Sequence, residues 1–570
     1  MNLKLSAFML WLFTRFSVAD IALARAQEAT ATIVVSAMLA ALATRAEAGL
    51  EVFPATAEAR IREDRVSAAV NGQPLPLVTR RVWHMDTPGQ YFMELAAAHF
   101  AADGPVKLTL TARRGSLGQP VLRKVGEDLP AQLQGDTLSF TLPGAGHYYV
   151  QLPALGSSNG TFTVAFWVED LQRVAQTRAR FQTPGVVNIS QRGVRPDPVL
   201  DQTAALQAVL DQGGDICFPP GVYRAGTLRL RSNTTVYLAP GAVLRAVDRK
   251  DDVGAEFLAI ENARNVTLCG PGTLDANSLN RPRGHNVHHV NISSSQDVTF
   301  EDVVFEESNS WAIHIRKSDR FTARNVKVFS GKDGFDPDSS RDVRIERAFV
   351  VSADDAIAVK NRFPDDTDGK TTERVTFRDS IVTTIKSALK IGTETRGPIR
   401  DVTFENCDAF DGDRGIVLYA RDGGPIERAT WRNIRLFMRN WPQEKDSGAV
   451  FQLNVERREA ATPVRDCRIE NVTANWIYRS EFAGLADAPL SGVTLRNIHA
   501  KVEPPKTGKP ALFVCRDNVD LKLDGLTVDW QGNRAKWAGV TSGEGLAVSE
   551  SDLPPANRNA SNPSTPKATR

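Results

Sequence analysis

Apolar and polar positions alternate through residues 265–528 in a unit that recurs ten times. Each copy opens on a turn or polar residue, runs apolar–polar–apolar, passes a Glu/Arg–Asn/Asp pair and then resumes the alternation. The copies begin at Asn265, Asp297, Arg320, Asp342, Arg374, Asp401, Arg428, Asp466, Gly492 and Asp520. Val266, Val298, Phe321, Val343, Val375, Val402, Ala429, Cys467, Val493 and Leu521 are then equivalent, at steps of 22 to 38 residues. Period two marks strands, and a strand in every copy without a helical period predicts an all-β solenoid of stacked coils. Such stacking brings residues far apart in sequence side by side on one face.

Residues 50–180 alternate in shorter runs broken by Gly, Pro and Asn, as in the stretches from Pro105, Gly135, Gly146 and Gly160. That pattern predicts an antiparallel β-sandwich. A linker at about 172–198 follows. A short helix over Gln202–Asp211 starts at Asp201-Gln202-Thr203, stops at Gly213-Gly214, and caps the solenoid, which runs over 199–545. The tail, 549–570, lacks periodicity and reads as disordered. At the N-terminus, 1–48 reads as an export segment. Lys4 precedes the apolar run Ala7–Phe13, and a second run, Ile33–Ala43, ends in the cleavage pattern Ala46-Glu47-Ala48 just ahead of the sandwich. Both runs are too short to span a membrane. The expected location is therefore secreted or periplasmic, with no membrane span.

Composition changes this picture little. The 570 residues are 42% hydrophobic and 24% charged, with a net charge of +2, as in ordinary soluble domains. No Lys/Arg run with interleaved aromatics points to nucleic acid. Five cysteines, none in a CxxC pair, read as buried thiols. His285, His288 and His289 lack a carboxylate or cysteine at ligand spacing, so no metal and no cofactor is expected.

The candidate chemistry emerges when the copies are aligned. Asp333 lies 12 residues after Phe321, and Asp355 lies 12 after Val343 with Asp354 beside it. Asp333 and the Asp354-Asp355 pair thus fall on adjacent coils, about 4.8 Å apart. The same offset adds Ser310, Ser387 and Arg414, a polar column on an otherwise apolar scaffold. Three carboxylates so close cannot all ionise comfortably, so one has a raised pKa. One protonated acid beside ionised partners is what glycosidic hydrolysis requires. Lys360, Lys390, Arg414 and Arg421 are placed to bind an anionic sugar or to balance the acids. Asp336 and Asp338 read as residues of a Pro-marked turn, as do Asp365, Asp366 and Asp368.

Residues 200–475 resemble glycoside hydrolase family 28, the polygalacturonases and their relatives. The resemblance rests on Pro219–Leu244, Ser308–Ile315, Lys332–Phe349 and Asp354–Lys360. It implies a right-handed parallel β-helix and an inverting mechanism, with Asp354 as general acid and Asp333 and Asp355 holding and activating water. The family's Asn-Thr before the first Asp is Gly331-Lys332 here. Its Gly-His-Gly is Lys386-Ser387-Ala388, and its Arg-Ile-Lys falls at Val417-Leu418-Tyr419, with Arg421 nearby. In polygalacturonases that Arg and Lys grip the uronate, so the departures put galacturonate at the cleavage subsite in doubt. A sandwich ahead of a β-helix also resembles family 49, the dextranases and isopullulanase.

The reading is therefore an exported hydrolase of an α-linked polysaccharide, a pectin-like polyuronide or rhamnogalacturonan, with a neutral α-glucan as the alternative. His314 and Glu394 are further candidate sugar contacts. Two rival classes stand beside it: a polysaccharide lyase, which needs a bound cation on the acids, and a non-catalytic carbohydrate-binding β-helix. The insertion at 361–372 and the long step before Cys467 are placed to wall off one end of the groove, which points to exo action.

Overall fold

A computed structural model describes residues 48–548 except 56–62, 84–91, 158–159, 249–255, 279–285, 364–370, 440, 442–446 and 544–545. The export segment (apart from Ala48), the tail, His285, and Asp365, Asp366 and Asp368 of the insertion at 361–372 lie outside the described residues. Among the described residues, no helix is long and apolar enough to cross a membrane.

The repeated units stack as a right-handed parallel β-helix, the handedness that parallel crossovers almost always take. The register is the one the alternation implies. Val266 pairs with Val298, Val343 with Val375, Val375 with Val402, and Cys467 with Val493. These side chains are buried and form one continuous core along the axis. Aromatic rings extend the stacking inside it, with Phe404 parallel to Trp431 at 5.4 Å.

The polar residue that opens each copy sits in the left-handed region, at φ between 53° and 61° from Asn265 to Asp520. Asn and Asp tolerate that conformation because their short side chains bond locally. Arg320, Arg374 and Arg428 adopt it too, each 2.7 Å from an Asp of the preceding coil: Asp297, Asp342 and Asp401. Alternating charge on neighbouring corners thus accompanies a backbone shape that arginine alone does not favour.

Three faces result. The third is a parallel sheet that includes Ile313–Arg316, Phe335–Asp338, Ile357–Asn361, Ser387–Thr395 and Arg414–Asp422. The second face carries outward apolar residues, Phe329, Phe349, Val351 and Phe410. These are covered by Tyr149, Ala165 and Trp167 of the two sheets formed within residues 50–170, antiparallel as the sequence predicts except where Gly160–Asp170 runs parallel to Phe92–Ala102. Tyr149 stacks on Phe410 at 4.4 Å. A fully buried ion pair crosses the same interface, Lys327 to Glu169, with His99 Nε2 2.8 Å from the same carboxylate.

Two details differ from the sequence reading. The stretch at 172–198 is not a bare linker: Leu171–Arg180 is a helix whose N-cap, Asp170, accepts the Arg173 N–H at 3.0 Å. Its one apolar side packs Val174 and Leu171 against Phe53 and Ala101. The capping helix spans Thr203–Leu210, with Leu206, Val209 and Leu210 closing the first coil. All five cysteines are thiols, four of them buried.

Candidate active site

The acids sit at the bend between the second and third faces. Ser308, Ser330, Ser352 and Thr384 stack in register there. Each hydroxyl donates to a carbonyl of the bend: Ser330 Oγ to Asp333 O at 2.8 Å, Ser352 Oγ to Asp354 O at 3.0 Å, and Thr384 Oγ1 also to Asp354 O. The residues that follow each bend are small, namely Gly334, Ala356, Ala388 and Gly415. A Cβ on Gly334 would meet Ala356 O at 2.5 Å. The coils therefore approach closely where the acids emerge.

Asp333, Asp354 and Asp355 converge, each with a carboxylate oxygen within 4.8 Å of the others. Asp333 and Asp355 are buried, and Asp354 is partly exposed. Asp333 Oδ1 accepts the Asp355 N–H at 3.3 Å, and its Oδ2 accepts Lys360 Nζ at 2.7 Å. Asp355 Oδ1 accepts the Ser387 N–H at 3.1 Å, and its Oδ2 accepts Lys390 Nζ.

Burial, then the charges of Asp333 and Asp355, push the Asp354 carboxyl up to about 8. Burial also works to raise Asp333, but the Lys360 ammonium and a hydrogen bond from Asp336 outweigh it and hold Asp333 below the usual range. Both lysines stay charged despite burial, because each faces carboxylates.

Asp336 corrects the turn assignment. It lies in the strand Phe335–Asp338, fully buried, 2.6 Å from Lys360 Nζ. Burial and the neighbouring Asp333 charge raise its pKa well above the usual value, so it is the protonated partner of Asp333. Asp338 lies in the same strand, bonded to His314 Nε2 at 3.3 Å and Arg362 Nε at 2.6 Å. Buried acids in an Asp-Pro-Asp strand mimic a turn in sequence; the signal that separates them is their register with His314 and with Lys360.

Most other candidates join the same cluster. Lys360 Nζ is 3.9 Å from Glu394 and 3.9 Å from the centre of the Trp311 ring. Arg414 bonds Asp413 at 2.9 Å and Tyr419 Oη at 3.1 Å. Arg421 lies over the same Tyr419 ring and pairs with Glu456 at 2.8 Å. Ser387 and Arg414 do stack in register with the acids. Ser310 does not. An irregularity between Phe305 and Ser308 shifts the count by one, so Trp311 stands opposite Asp333 and Ser310 opposite Lys332. Trp311 and Tyr419, missed in the sequence reading, are the aromatic groups beside the acids.

His288 and His289 bond the carbonyls of Trp311 and Glu306, and neither joins the acids. The three acids are spaced to hold a cation. Two of them are already neutralised by lysines, which a cation would have to displace.

Comparison with known proteins matches residues 215–436 to the model for glycosyl hydrolases family 28. A probable polygalacturonase of Vitis vinifera is 22% identical over 330 residues, 50% of this chain and 66% of that one. An endo-polygalacturonase of Pectobacterium parmentieri is 22% identical over 247 residues, 35% of this chain. The chain thus spans less than two thirds of these relatives, 66% and 59% of their lengths. Among solved structures, Dex49A from Penicillium minioluteum matches with a TM-score of 0.50 at 13% identity, covering 79% of this chain and 90% of that one. A family 28 exopolygalacturonase of Yersinia enterocolitica matches at 0.47 and 13%, covering 78% and 95%. The stretch that carries the three acids and both lysines is thus the part of this chain that matches glycosyl hydrolase family 28.

Proposed function

We propose that the chain is an exported glycoside hydrolase that cuts an α-linked polysaccharide with inversion. One observation carries this reading: a partly exposed acid, Asp354, stands within 4.8 Å of two buried carboxylates that are each held by a lysine. Protonated at neutral pH, Asp354 gives its proton to the glycosidic oxygen as the bond to the anomeric carbon breaks. Asp333 and Asp355 hold a water, and one of them takes a proton from it as its oxygen attacks the anomeric carbon. The sugar left behind carries the inverted configuration.

The acids are closer than the roughly 5–5.5 Å of a covalent pair and the roughly 6.5–9.5 Å of an inverting pair, so spacing alone does not choose the stereochemistry. Access favours water as nucleophile. Asp333 and Asp355 are buried beneath Asp354 and tied through both oxygens to the next coil. A carboxylate so held is poorly placed to bond to an anomeric carbon.

A pectin-like polyuronide or rhamnogalacturonan is the favoured substrate, by the named activities of the relatives. A neutral α-glucan is favoured instead by one feature: Lys360, Lys390 and Arg414, the cations around the acids, already face protein carboxylates. Incubation with polygalacturonate, rhamnogalacturonan, dextran and pullulan, with reducing ends assayed and the first product anomer read by proton NMR, separates these. New reducing ends of β configuration are expected. An α anomer as first product overturns inversion, and unsaturated ends mean a lyase.

A further inference from the structure

Asp333 and Asp355 are held by the same device, repeated one coil apart. The next coil gives each carboxylate a backbone N–H on Oδ1, from Asp355 and from Ser387. It also gives each an ammonium on Oδ2, from Lys360 and from Lys390. At Asp355 the residue in the family's histidine position, Ser387, contributes only its N–H; its Oγ is buried without a partner. The cationic contact comes from Lys390, three residues on. Lys390 is buried, and its register neighbour on the coil of Asp355 is Ala358, the smallest side chain of the outward column His314–Asp336–Ala358–Lys390.

We propose that Lys390 is a positioning residue that orients and neutralises Asp355, in place of the family's histidine, and does not bind the sugar. This rests on reading the three acids as a hydrolytic centre. The groups that face Lys390 are Asp355, Asp354, Asp333 and Lys360, with the Tyr419 ring 5.5 Å away. Arg414, bonded to Asp413 and Tyr419, is the next cation near Asp355. Lys390 is buried against the acids, and its charge favours the ionised form of Asp354 as well.

The test uses full-length Lys390→Met and Lys390→Arg, assayed across pH on whichever of the four polysaccharides the wild type cuts. For Lys390→Met, kcat falls about 10–100-fold and KM stays within about twofold, the pattern of a lost interaction specific to the transition state. The alkaline limb of the pH profile moves up, because Asp354 has lost a nearby cation. Lys390→Arg keeps the limb in place and recovers part of kcat. A raised KM with kcat and limb unchanged makes Lys390 a sugar-binding cation and overturns the proposal. Melting temperatures against pH read the same contact without substrate. Lys390→Met loses more stability at pH 9 than at pH 6, and an equal loss at both overturns the proposal. If the wild type cuts nothing while this pH-dependent loss appears, the hydrolase reading fails and the contact stands.

Discussion

Asp354 owes its character to its neighbours. A mostly buried position, and then two carboxylates within 4.8 Å, keep its proton on at pH 7. The alkaline limb of the rate profile is therefore expected near pH 8, read from kcat/KM between pH 5 and 10. The same shift bears on stability. The folded protein binds this proton more tightly than the unfolded chain, so stability falls as pH rises from about 4 through about 8. Asparagine has nothing to titrate. The melting temperature of Asp354→Asn should exceed that of the wild type by a margin that grows across that window; a constant margin would show that Asp354 titrates normally. The three acids were legible in the sequence because Asp333 and Asp355 share one offset from the strand pattern and Asp354 adjoins Asp355. Asp336 was not, because a buried acid and a turn acid look alike until the coil opposite supplies a lysine.

At the scale of elements, apolar–polar alternation set the strand that opens each copy, down to the pairing of Val343 with Val375. It did so because period two admits only one register when one face is buried. The third face was less legible. The irregularity before Ser308 moved Trp311, not Ser310, opposite Asp333. Close approach of the coils at the bend also left a trace, the small residues Gly334, Ala356, Ala388 and Gly415, but only the structure shows why they are small. Gly334→Ala drives a methyl into Ala356 O. It should cost about 1–3 kcal/mol in denaturant unfolding and lower activity by displacing Asp333. Wild-type stability in this variant would mean that the coils separate easily.

At the scale of the molecule, the sheets of residues 50–170 are fastened to the second face, which leaves the third face to carry the acids. Apolar contacts around Trp167 and Tyr149 do most of the fastening. The buried Lys327–Glu169 pair adds a condition, since neither charge has water to turn to. Glu169→Gln strands the ammonium and should destabilise the protein by about 3–5 kcal/mol, measured by urea unfolding, with the transition losing its single step. A loss under about 1 kcal/mol would place Lys327 in a more solvated setting than described. None of this interface was readable beforehand, because a buried Lys or Glu carries no mark in a single sequence.

The proposed hydrolysis depends on Asp354 delivering the proton that frees the leaving sugar. Reducing-end release by wild type and Asp354→Asn, on the best of the four polysaccharides at pH 6, tests it most directly. A fall of about 10²–10⁴-fold is expected, with the fold intact by circular dichroism. Equal rates would contradict it.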